Sequence, residues 1–234
     1  MARAAVVAEE LLLSVAEQIK MPLLQIARHA ELGILTNSPD LTSVQVIADS
    51  ALRLLDSYIL GMRLAREGEH QLYLEPVSVS SVLYDAGHEL DALAKFYGVK
   101  LELNVSGKFG PVMAHRKGLH AALTSLGTTL IEAMPLLEVP ELRLQLAAHR
   151  CRYGIVAGVY SDAEALSAEA LRQGRTLIGH TRQPLVGLTH ASGAGVFVAD
   201  AILHAMRTGL KVSRHHRLYG LGAVLTPNTQ MQLV

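Results

Sequence analysis

The sequence predicts an α+β chain, a helical hairpin followed by a sheet that carries helices on one face. Three observations predict it. Residues 12–61 place apolar side chains in steps of three and four. Turn chemistry at Thr36-Asn37-Ser38-Pro39-Asp40 splits that stretch into two helices. From about residue 68, short strand patterns mix with helical ones without βαβ regularity, the mark of a sandwich.

On the first helix, Leu12, Val15, Ile19, Pro22 and Ile26 form a heptad-like stripe, the seam of a helical bundle. Val44, Ile47, Ala51, Leu54, Tyr58 and Gly61 repeat it on the second, with Ser38 or Asp40 as N-cap. Two helices bury too little surface alone, so a pair of hairpins closing a four-helix dimer is expected. Strands are then expected at 72–78, 99–105 and 111–114. Helix faces are marked by Val79, Leu83, Ala86, Leu90 and Leu93, and by Leu119, Leu123, Leu126 and Leu130. Residues 141–148 and 153–160 read as paired strands, with Arg150-Cys151-Arg152 near their turn. Further helices are expected at 163–172 and from after Ser192 to about Arg207. Closing strands are expected at 210–214, 222–226 and 230–234. The domains are then 1–67 for the hairpin, 68–75 for a linker and 76–234 for the sandwich.

Composition narrows the function. With 21 basic and 21 acidic residues the formal net charge is zero, which argues against a broad nucleic-acid surface. Half of the 234 residues are hydrophobic and only 18% are charged, enough for a large core and a buried oligomer interface. The single cysteine, Cys151, forms no internal disulfide and fits a reducing compartment. Glu9 and Glu10 interrupt the N-terminal apolar run, and no long uncharged apolar stretch follows. A cytoplasmic location with no membrane span is expected.

The run Glu17-Gln18-Ile19-Lys20-Met21-Pro22-Leu23, the order of elements, and the segments Leu74-Glu75-Pro76-Val77-Ser78-Val79 and Phe96-Tyr97-Gly98-Val99-Lys100-Leu101-Glu102-Leu103 together resemble sensor histidine kinases. The resemblance is to the dimerisation domain plus the ATP-binding domain and covers nearly the whole chain. It implies a helical acceptor domain, an ATPase-type sandwich and a response-regulator partner. The family's acceptor box reads His-Glu-Leu-(Lys/Arg)-Thr-Pro-Leu. Here Glu17 stands at the histidine, Gln18 at the acidic residue and Met21 at the threonine, while Lys20, Pro22 and Leu23 match. Glu17 lies two residues past the seam residue Val15, so it projects away from the bundle. It reads either as an ordinary solvated helix residue or as a phosphohistidine mimic. His29 lacks the box around it and reads as structural.

The resemblance carries three nucleotide boxes. Where it implies magnesium-binding asparagines, this chain has Ser125 and Thr129, and Glu132 stands where a basic residue is common. The adenine box reads Asp162-Ala163-Glu164-Ala165-Leu166, with its aspartate kept and both glycines replaced. The last box keeps Gly193 and Gly195 in Ser192-Gly193-Ala194-Gly195, which reads as a phosphate loop or as a capped tight turn. Asp162, Gly193 and Gly195 are therefore remnants of a cofactor site, and no cofactor is expected. Residues 173–191 form a reduced counterpart of the nucleotide lid. Elsewhere, His215 and His216 are adjacent on a strand and point to opposite faces. His115 and His120 are badly spaced for a shared metal, and no metal site is expected.

The expectation is a non-catalytic histidine-kinase-like homodimer, a protein-interaction module of two-component-type signalling. It binds no nucleic acid and no membrane. Glu17, Lys20, Met21, Gln25 and Arg28 would form the docking face for a receiver domain. The alternatives are a histidine phosphotransfer protein acting through His29, and a residual ATP binder.

Overall fold

The computed structural model describes residues 2–67, 72–105, 107–133, 143–161 and 194–228, and within the first helix it describes side chains from Ile19 onward. Two helices, α1 (Ala2–Thr36) and α2 (Leu41–Glu67), come first. Asn37 takes a left-handed φ of 52°, and Ser38 N–H donates to the Gly33 carbonyl at 3.1 Å, which closes α1 with a Schellman cap. Of the two N-cap candidates Asp40 serves: its carboxylate accepts from Ser43 N at 3.0 Å and from the Ser43 hydroxyl at 2.6 Å. Those bonds hold the Asp40 carboxyl below its ordinary value.

The second part contains β1 (Glu75–Val77), α3 (Val79–Phe96), β2 (Lys100–Val105), β3 (Val112–Ala114) and α4 (Arg116–Ala133). It continues with β4 (Arg143–Cys151), β5 (Gly154–Ser161), α5 (Ala194–Ala205), β6 (Leu210–His215) and β7 (Leu218–Leu225). The main sheet has the order β2-β4-β5-β7-β6, parallel only between β2 and β4. β1 and β3 form a separate antiparallel pair. Ser78 caps α3, and Gly98 at φ 67° ends it, with Val99 N–H donating to the Ala94 carbonyl at 2.8 Å. His115 caps α4, its Nδ1 accepting from Gly118 N at 3.0 Å. That cap is the role of one of the two histidines weighed above as a metal pair.

Helices α3, α4 and α5 cover one sheet face. Alternate strand residues, Leu144, Leu146 and Ala148 on β4, Ile155, Ala157 and Val159 on β5, and Leu221, Ala223 and Leu225 on β7, meet them in one buried cluster. Leu54 and Tyr58 of α2 belong to that same cluster. Gly61 lets α2 approach α5 closely, since a Cβ there would lie 2.9 Å from Val198 Cγ1. The buried stripe of α2 thus faces its own chain's sandwich. Arg53, Glu89 and His120 link α2, α3 and α4 at 3.5 and 3.4 Å.

Several strand boundaries differ from expectation; β4, expected at 141–148, runs from Arg143 to Cys151 and takes in residues expected at the turn. β7 begins four residues earlier than its pattern, because His216 adopts φ 52° in a turn that joins it tightly to β6. The 72–78 pattern yields only the three residues of β1, with Leu72 and Leu74 packed partly buried against the core instead. The strand expected at 230–234 and the helix expected at 163–172 lie outside the described residues.

The other sheet face is also filled. Tyr160 is fully buried there, and its hydroxyl pairs with the Ser213 hydroxyl at 3.3 Å. Its ring uses the space left by Gly158 and Gly222, where Cβ atoms would stand 3.0 and 3.1 Å from its oxygen. Burial pushes the Tyr160 phenol up to about 12. β4 and β6 are three strand spacings apart, roughly 14 Å in a flat sheet, yet the rings of His149 and His215 are 5.0 Å centroid to centroid. The sheet is therefore coiled, concave on this face. Burial, aided by nearby His216, holds both imidazoles below the ordinary histidine value. The fold thus prefers them neutral. Their contribution is complete above the unfolded value of about 6.5 and is lost as pH falls through the lower folded values. The urea midpoint is expected to fall between pH 7.5 and pH 5, and His149→Gln should flatten that dependence. An equal slope in the variant would contradict the assignment.

Candidate functional site

The acceptor-like box lies on α1. Glu17 falls on the helix, outside the residues whose side chains are described. Lys20 and Arg28 are exposed, and Met21 is 55% exposed. Ile19, Lys20, Leu23 and Leu24 line a shallow apolar groove beside them. Pro22 is buried, as a seam residue should be.

Gln25 is in a different setting from the free docking residue expected. Its amide nitrogen donates to the Tyr97 hydroxyl at 2.9 Å, and that hydroxyl lies 3.0 Å from Gln25 Oε1. Tyr97 is the C-cap residue of α3, so Gln25 ties α1 to the sandwich. Burial raises the Tyr97 phenol above its ordinary value, with Gln25 opposing that rise. One turn further, His29 packs its ring 5.8 Å from Phe96. Gln25 and His29 thus share a contact that spacing along α1 does not reveal. Lys20, Met21 and Arg28 remain on open surface.

The nucleotide-box positions lie mainly on α4 and at the start of α5. Ser125 is 2% exposed and Thr129 is fully buried, and neither hydroxyl has a hydrogen-bond partner among the described residues. The Thr129 side chain and the Ser125 carbonyl face the first turn of α5. A Cβ on Gly195 would overlap the Thr129 hydroxyl and lie 3.1 Å from the Ser125 carbonyl oxygen. Gly195 is therefore needed for helix packing, whatever else it does. Asp200 on α5 is occupied too, accepting from Leu210 N at 2.7 Å. Asp162, Gly193 and the segment 173–191 lie outside the described residues. Among the described residues, no group of three or more His, Cys, Asp or Glu side chains converges as a metal site. No helix of the described residues is long and apolar enough to cross a membrane.

No protein-family model and no curated protein matches the sequence. Solved structures do. The histidine kinase AdeS of Acinetobacter baumannii aligns with a TM-score of 0.50 at 14% identity, covering 91% of this chain and 98% of that one. ShkA, solved full-length in complex with AMPPNP, aligns at 0.53 with 16% identity over 78% of this chain and 36% of its own. The catalytic domain of the histidine kinase ThkA aligns at 0.51 with 9% identity over 67% of this chain and 100% of that domain. This chain thus spans about a third of ShkA and nearly all of the solved AdeS chain. Its fold is histidine-kinase-like, with a helical hairpin followed by an ATPase-type sandwich.

Proposed function

We propose that this chain is a non-catalytic, histidine-kinase-like dimer, a cytoplasmic protein-interaction module of two-component-type signalling. One observation carries the non-catalytic part. The position equivalent to the family's metal-binding asparagine, Thr129, is buried under the first turn of α5. A hydroxyl packed against a helix backbone offers no room for a magnesium–triphosphate. Glu17 in place of the acceptor histidine agrees with it. The docking surface is Glu17, Lys20, Met21 and Arg28 with the apolar groove beside them, where a receiver domain would bind. Calorimetry with magnesium and ATP, the nucleotide class held by ShkA, should give no heat at millimolar nucleotide. Measurable binding would sink the proposal. Titration with receiver domains tests the partner, with Lys20→Glu and Met21→Arg expected to weaken binding about tenfold.

The dimer rests on a second stripe of α2. Leu41, Ala48, Leu52, Leu55 and Ile59 follow heptad steps on the side away from the sandwich, and Leu52 is 61% exposed. On α1, Leu24, Leu32 and Leu35 are exposed as well. Leu52→Glu places a charge in that seam. It should halve the mass measured by light scattering while leaving the helical circular dichroism unchanged. A wild-type chain that is monomeric at high concentration would remove this part.

A further inference from the structure

The coiled face of the sheet brings together two histidines that neither the fold comparison nor the signalling role uses. His149 on β4 and His215 on β6 place their Nδ1 atoms 3.2 Å apart, with ring centroids 5.0 Å apart. A straight N–H···N bond sets the rings end to end and the centroids farther apart. Two nitrogens 3.2 Å apart also span roughly the ligand-to-ligand distance around a tetrahedral zinc ion held about 2.0–2.1 Å from each. His215 is 3% exposed, and its Nε2 has no hydrogen-bond partner among the described residues. Either one ring carries its proton on Nδ1 and bonds the other, or both carry it on Nε2 and the two Nδ1 lone pairs face a shared cation.

We propose that His149 and His215 form a two-histidine site for a divalent transition-metal ion of the zinc class. Imidazole nitrogens of this geometry select such ions over magnesium or calcium, which prefer oxygen. His149 is only partly buried, so the ion has a path in from solvent. Two described side chains supply two ligands, and water completes the coordination. The site is thereby open to an exogenous donor. Tyr160 borders both rings, at 6.3 and 5.5 Å, and bonds Ser213. It closes the inner side of the site as a neutral phenol. His216 follows His215 with its ring 4.4 Å away but sits exposed on the turn.

The test uses the full chain, titrated with zinc chloride by calorimetry and with cobalt(II) as a visible probe. One equivalent should bind. His149→Ala and His215→Ala should each weaken zinc by about tenfold or more, while His88→Ala on α3 should not. His149 is the less buried ligand, so His149→Ala decides the matter alone if His215→Ala misfolds. Absence of zinc binding overturns the proposal. Binding that survives His149→Ala is adventitious surface coordination and overturns it too, as does binding lost in His216→Ala but kept in His149→Ala.

Discussion

Replacing Tyr58 by alanine should cost about 3–5 kcal/mol, as large aromatic truncations in cores do. That is a large share of the stability of a typical domain, about 5–15 kcal/mol. Tyr58 is 1% exposed and lies on α2, yet the cluster it enters is that of the sandwich. The loss should therefore appear in both parts of the chain. Urea unfolding followed by far-ultraviolet circular dichroism and by tyrosine fluorescence should give coincident transitions in the wild type. In Tyr58→Ala both should shift together. A variant in which the hairpin melts early and the sandwich keeps its midpoint would show that the two parts have separate cores.

Gly195→Ala should destabilise the protein by about 1–3 kcal/mol, or roughly 2–4 °C of melting temperature for each kcal/mol. The new methyl group meets the Thr129 hydroxyl and the Ser125 carbonyl, both on the neighbouring helix. Thr129→Ala should restore part of the loss, because it removes the hydroxyl that the methyl strikes. Alone it should be nearly neutral, since that hydroxyl is buried without a partner among the described residues. The double-mutant cycle measures the coupling directly. A glycine retained for phosphate contact alone would show no change in melting without nucleotide and no rescue by Thr129→Ala.

Much of the fold was legible because local patterns and packing agree in it. The apolar steps of α3 and α4 and the helix-to-strand step at Gly98 needed only neighbours in sequence. So did the β4–β5 hairpin, whose pairing is antiparallel from Gln145–Tyr160 to Cys151–Gly154. The first half of β7 was hidden because His216 makes a left-handed turn that usually advertises itself with glycine or asparagine. The site was legible only where a motif is contiguous. Gln25 projects from α1 as the spacing requires, but its partner Tyr97 is 72 residues away and leaves no trace near it. Gly195 fits a loop pattern equally well whether it meets phosphate or Thr129. His215 was weighed against its neighbour His216, while its structural partner is 66 residues distant. Each miss in the site is a long-range contact, and periodicity carries no information about those.

The shared core of α2 and the sandwich also has a mechanical consequence. In a chain whose helical and nucleotide-type parts are joined by a bare linker, a twist of the helices can be absorbed at the joint. Here Leu54, Tyr58 and Gly61 grip the sandwich directly, and Gln25 holds it from the other helix. A twist of the hairpin would therefore act directly on α5 and on the helices packed over the sheet. The two parts are thus expected to turn together, with the shared core rather than the linker setting their relative orientation.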